Sequence, residues 1–106
     1  MTDDPWTPPQ ATIKLREIAR HRSLEMTYKR HATERLGERN LVVSDVLYAL
    51  KNGFVYIDAE AATRPGYFKY RMECRTPNSG SRSIGVIVIP EHSGYCLKVI
   101  TVMWID

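Results

Sequence analysis

"GYFKYRMECR" (residues 66–75) alternates along its whole length: Phe68, Tyr70, Met72 and Cys74 fall on one phase, Tyr67, Lys69, Arg71, Glu73 and Arg75 on the other. A period of two is the mark of a half-buried strand. One face therefore reads as core and the other as a basic surface. The segments downstream are of the same kind. "TPNSG" (76–80) is turn chemistry, "RSIGVIVIP" (82–90) a continuous apolar run, "EHSG" (91–94) a second turn and "YCLKVITVMWI" (95–105) a long final strand. Three strands on short connections predict an antiparallel meander, and "FVYIDA" (54–59) adds a candidate strand before it.

Upstream the period changes to that of a helix. In "ATIKLREIARH" (11–21) Ala11, Leu15, Ile18 and Ala19 share one face, which predicts a helix over 11–22 behind a Pro8–Pro9 stop, with Thr12 as candidate cap. "SLEMTY" (23–28) alternates briefly and reads as an edge strand. In "YKRHATERLGER" (28–39) Ala32 and Leu36 lie four apart and Arg30 can pair with Glu34, so a two-turn helix is expected, stopped by Gly37. "VVSDVLYALKNG" (42–53) predicts a third helix, with Ser44 as N-cap, Asp45 in the first turn and Asn52–Gly53 at its end. The expected fold class is α+β: N-terminal helices packed on one twisted, mainly antiparallel sheet, in the order αβααββββ. Residues 11–106 form a single domain in this reading, behind a flexible acidic, proline-rich tail over 1–10.

Composition sets the bounds. A chain of 106 residues, 43% hydrophobic and 25% charged, builds one core, and no apolar run reaches the length of a membrane span. The first ten residues are the reverse of a basic, then apolar, export signal. Cys74 and Cys96 lack CxxC partners and read as reduced thiols, which suits the cytoplasm. The net charge is +3 but unevenly spread: residues 14–39 hold eight Lys or Arg against four Glu, and residues 64–82 hold five against one. Folding could gather these two segments into a patch for a polyanion or leave them as solvated faces.

Metal, nucleotide-cofactor and elbow-type nucleophile motifs are missing. His21, His31 and His92 have no ligand spacing, the six glycines form no phosphate-cradling loop, and neither a metal nor a cofactor is expected. What remains is a cationic set: His31 and Arg35 one helical turn apart, Arg39 beyond them, and Lys69, Arg71 and Arg82 on or near strands. Such groups suit an RNA phosphodiester, where the 2′-hydroxyl must lose a proton, the phosphorane gains charge, and the 5′-oxygen must be protonated. Tyr67 or Tyr70 could stack on an unpaired base. The plainer reading stands beside this one: Arg35 paired with a neighbouring Glu, and the strand cations merely solvated.

The motif His31-Ala32, Glu34-Arg35, Arg39, Val43, Asp45-Val46 and Ala49-Leu50, with the ending Val99 to Trp104, resembles a small bacterial family described as domain of unknown function 4258. That family is in turn distantly similar to RelE-like toxins of toxin–antitoxin pairs, including the MqsR and BrnT branches. The resemblance implies a RelE-like fold, metal-independent endoribonuclease (mRNA interferase) activity, and inhibition by a cognate antitoxin protein, often one that binds DNA. Carried over by position, it supports His31 and Arg35 most, then Arg39, while Lys69 and Arg71 match only a general preference for basic or polar residues on the middle strands. Together with the chemistry above, the expected site has His31, Arg35, Lys69 and Arg71 as catalytic and Arg39, Tyr67 and Arg82 as RNA contacts. The chain ends "TVMWID", without the C-terminal basic residue and tyrosine that several RelE-like toxins carry. Two other readings stay open: a non-catalytic RNA- or protein-binding module of the same fold, and a small protein that recruits a partner along the edge strand "LEMTY".

Overall fold

The structure, a computed structural model, describes residues 4–105. Its elements in chain order are α1 (Pro8–Arg20), β1 (Glu25–Tyr28), α2 (Arg30–Glu38), α3 (Val43–Asn52), β2 (Phe54–Val55), β3 (Glu60–Ala61), β4 (Phe68–Cys74), β5 (Ile84–Pro90) and β6 (Cys96–Trp104). This is an α+β fold with three helices and a mixed sheet of six strands. The sheet runs β1-β6-β5-β4-β2, and β3 also pairs with β4. The meander of β4, β5 and β6 is antiparallel, whereas β1 lies parallel to β6 at one edge.

The alternation in β4 works as its sequence suggests. Tyr70 and Met72 are buried, as are Ile84, Val86 and Val88 of β5 and Leu97, Val99 and Val102 of β6. These pack with Leu15 of α1, Ala32 and Leu36 of α2, and Val46 and Leu50 of α3 in one core. All three helices therefore cover one face. The opposite phase, with Lys69, Arg71, Ile89 and Lys98, bears no helix.

Several boundaries differ from the sequence reading, each for a physical reason. Pro8–Pro9 does not stop α1 but begins it, since proline fits a first turn whose N–H groups have no intrahelical partner. Thr7 is the N-cap, in a reciprocal box with Gln10, so three residues assigned to the tail are helical. Thr12 lies inside α1; its Oγ1 donates to the Pro8 carbonyl and accepts from Val55 N–H at 2.9 Å, tying α1 to β2. Gly37 is within α2, and the turn is made by Asn40 at φ 55°, with Leu41 N–H donating to the Leu36 carbonyl at 2.9 Å. α3 starts at Val43 with Val42 as its N-cap, two residues before the expected Ser44 cap, because Asp45 Oδ2 accepts from Val42 N–H at 2.9 Å.

"FVYIDA" is not one strand. Val55 opposes Met72 and Glu60 opposes Lys69, so five steps along this segment match three along β4, and the surplus bulges out between two short pairings. The order is accordingly αβααβββββ, one strand longer than expected. Much of the first basic segment is structural: Arg16 donates to the carbonyls of Gly53 and Asn52 at 2.8 and 2.9 Å, and Arg20 to that of Lys51, fastening the end of α3.

Candidate functional site

Register places a row of side chains across the open face of the sheet. Thr27 opposes Lys98, Lys98 opposes Ile89, and continuing the β4–β5 ladder by one residue sets Lys69 beside Ile89. Lys69 and Lys98 are thus two strand spacings apart, about 10 Å between backbones. Next to this row β6 carries a bulge: Ile87 opposes Thr101 and Val88 opposes Val99, leaving Ile100 unpaired and outward-facing. Bulges re-aim side chains and recur beside functional sites. Lys29, directly after β1, is held there by its N–H donating to the Val99 carbonyl at 2.9 Å.

These residues floor a groove of about 370 Å³. Its lining combines Lys29, Lys69 and Lys98 with Ile89 and Ile100, and its walls come from Ala62, Thr63, Arg64, Tyr67 and Glu91. Four cations thus surround one concavity, against a single lining carboxylate. Glu91 Oε2 lies 3.6 Å from Arg64 Nη1, and Lys69 Nζ lies 3.8 Å from Glu60 at the rim. Among the described residues Lys29 and Lys98 take part in no ion pair. Unneutralised cations over an apolar floor suit an anion with a hydrophobic body, and an exposed sheet face lets an extended chain lie across it.

Tyr67 is a wall, not a free platform. His92 stacks on its ring at 3.9 Å and 2°, and the Arg64 guanidinium lies 4.1 Å from the same centroid. Two groups at that distance cannot share one face, so both faces are covered. His92 is itself fixed by an Nε2 contact of 2.8 Å to the Gly66 carbonyl. The wall is rigid before any ligand arrives.

The other residues singled out from the sequence lie elsewhere. His31 and Arg35 do meet, with Arg35 Nε donating to His31 Nε2 at 3.2 Å. Arg35 also pairs with Glu38 Oε2 at 2.7 Å, and Arg39 reaches the same carboxylate at 3.4 Å. This cluster is on the surface of α2, whose Ala32 and Leu36 face the helical side of the sheet. It does not line the groove. Arg71 shares the face of Lys69 but is bound to Glu73 Oε2 at 3.1 Å and is outside the groove. Arg82 lies over the Trp104 ring at 4.2 Å, away from it. The structure thus brings Lys69 and Tyr67 together in the groove, keeps Arg71 on the same face outside its lining, and leaves His31, Arg35, Arg39 and Arg82 out of it.

Lys29, Arg64, Glu91 and Lys98 were not singled out by sequence reasoning. Lys98 interrupts "YCLKVITV" on the outward phase, a signal that was present. Lys29 reads as the start of a helix until the parallel β1–β6 pairing is known.

Asp45 is the one buried carboxylate of the described residues, and it is a fastener. It accepts from Val42 N–H, from Thr76 Oγ1 at 2.7 Å and from Asn78 Nδ2 at 3.0 Å. Burial alone would push its carboxyl up, but the three hydrogen bonds outweigh that and hold it below the usual carboxylate range. Among the described residues no three His, Cys, Asp or Glu side chains are grouped to hold a metal ion, and no helix is long and apolar enough to cross a membrane.

A family model described as "Domain of unknown function (DUF4258)" matches residues 28–104, so the chain belongs to that family. No curated protein and no solved structure matches it.

Proposed function

We propose, taking membership of DUF4258 as the premise, that this protein is a toxin-like, metal-independent endoribonuclease of RelE-like kind that works in the groove on its open sheet face. The observation that carries the reading is the convergence of Lys29, Arg64, Lys69 and Lys98 on one concavity. An RNA strand laid across the sheet would set a phosphate between Lys69 and Lys98. As the 2′-oxygen bonds to phosphorus its proton leaves to water, and the phosphorane's added charge is met by the ammonium groups. The bond from phosphorus to the 5′-oxygen then breaks, and a lysine ammonium donates the proton that oxygen needs. The step requires no cofactor.

In this reading the His31–Arg35 pair is a helix-surface cluster satisfied by Glu38, and catalysis rests on the sheet. Arg39, Arg71 and Arg82 supply at most peripheral attraction for the strand. A partner antitoxin, DNA-binding in many related systems, would silence the protein by covering the open face, and the cytoplasm is where both would act. One observation favours the alternative of a binding module without cleavage: among the described residues the one carboxylate in the groove wall, Glu91, is already engaged by Arg64.

The test is cleavage of a labelled single-stranded RNA in the presence of EDTA, with a matched strand carrying 2′-deoxyribose throughout. Cutting of the RNA alone, unaffected by chelation and ending in 2′,3′-cyclic phosphates, is expected. Retention of both strands without cutting, weakening steeply with salt, would establish the binding module instead.

A further inference from the structure

A second cavity, of about 290 Å³, lies across the Tyr67–Glu91 wall from the groove, since both residues line both spaces. Its character is the reverse of the groove's. Trp6 and Phe68 give it aromatic sides, Tyr67 with His92 stacked on its ring closes it, Asp4 and Glu91 bring carboxylates, the latter held by Arg64 through Oε2, and none of the four groove cations lines it. Trp6 is fixed in place: its backbone N–H donates to Tyr70 Oη at 2.9 Å, its ring stacks on Tyr70 at 5.3 Å, and the next residue caps α1. A cationic groove adjoining an aromatic, acidic cleft has the polarity of a nucleotide, whose phosphate is anionic and whose base is a flat ring with polar edges.

The carboxylates decide which base. A carboxylate only accepts hydrogen bonds. Guanine presents two adjacent donors, N1–H and the N2 amino group, and can meet a carboxylate with both. Adenine and cytosine set a ring acceptor beside their amino group, and uracil flanks its one N–H with two carbonyls, so each turns a lone pair toward the carboxylate. We infer that the cleft beneath Trp6 is a base subsite that selects an unpaired guanine of an RNA strand whose phosphates lie in the lysine groove. The inference rests on the reading of the groove as an RNA site, but not on cleavage.

Binding of the four ribonucleoside 5′-monophosphates and of inosine monophosphate, followed by calorimetry on the full chain, tests it. Guanosine monophosphate should bind at least about tenfold more tightly than the adenosine, cytidine and uridine forms, in line with bidentate base contacts. Inosine monophosphate, which keeps N1–H and lacks the amino group, should fall between. The double variant Asp4→Asn/Glu91→Gln should level the four, because each new amide keeps one acceptor but sets a donor where guanine's second donor would bind. Trp6→Ala should weaken all of them and leave the binding of inorganic phosphate unchanged. The trinucleotide ApGpA, an RNA with each 2′-hydroxyl replaced by fluorine to prevent cutting, should bind more tightly than guanosine monophosphate, a gain lost in Lys98→Ala. Equal binding of the four bases, or binding of none, overturns the subsite. A trinucleotide no tighter than the monophosphate overturns its assignment to RNA and gives the cleft to a free guanine nucleotide. A protein that fails to cleave RNA but discriminates the bases in this way retains the subsite and loses only the nuclease.

Discussion

Asp45→Ala is expected to lower stability by about 3 to 4 kcal/mol, seen as a fall in Tm of about 15 °C or more in thermal unfolding followed by circular dichroism. The variant removes three hydrogen bonds to one charged group: the Val42 N–H at the start of α3, the Thr76 hydroxyl and the Asn78 amide. Capping groups at a helix start contribute about 1 kcal/mol and hydrogen bonds to a charge about 1.5 to 3. Thr76 is 4% exposed, so its hydroxyl would be left without its acceptor in the interior. The damage would spread, because Thr76 and Ser79 hold the β4–β5 turn through reciprocal bonds, Thr76 N–H to Ser79 Oγ and Ser79 N–H to Thr76 Oγ1.

The pH dependence follows from the same contacts. The carboxyl of Asp45 is lowered in the folded protein, so the unfolded chain takes up its proton first as pH falls. Its contribution is fully present above the ordinary aspartate value of about 4 and is lost as pH drops through the lower folded value. The gap between wild type and Asp45→Ala should therefore be constant from about pH 5 to 8 and narrow below pH 4. A gap independent of pH down to 2 would mean that the ionised form is not what the cap and the turn hold. Asp45 is thus accounted for by architecture.

Lys69→Ala/Lys98→Ala is expected to reduce RNA cleavage by roughly a thousandfold or more, judged by single-turnover rates, because removing one charge-stabilising donor typically costs about 10²–10³. Stability should be unchanged or slightly higher. Surface substitutions away from special contacts change it by only about 0.5 kcal/mol, and this pair relieves repulsion within a cluster that holds few anions. Loss of activity with retained Tm is the expected pattern for residues kept for function. A drop in Tm matching the drop in rate would make both lysines structural.

How much of this was legible in the sequence depends on the range of the interaction. The alternation in residues 66–75 and the helical spacing of Ala32 with Leu36 are local, and both give the burial they imply. The start of α1 was misread because Pro8–Pro9 fits a first turn as well as a break, and only the Thr7–Gln10 box decides between them. The His31–Arg35 contact was legible from i,i+4 spacing, yet its neighbourhood was not, since Glu38 competes for Arg35 and α2 turns its apolar side to the helical face. The groove was the least visible feature. Lys29, Lys69 and Lys98 lie on three different segments, and they meet only because β1 pairs parallel to β6 while β5 separates β6 from β4. Sheet register of that range has no local signature.

The central claim, that RNA occupies the open sheet face, is tested most directly by titrating a short, non-cleavable single-stranded RNA into isotope-labelled protein and mapping the amide shifts. The account predicts the largest shifts at Lys29, Arg64, Tyr67, Lys69, Lys98 and Ile100. Shifts confined to His31, Arg35 and Arg39 on α2, with the sheet face unmoved, would contradict it.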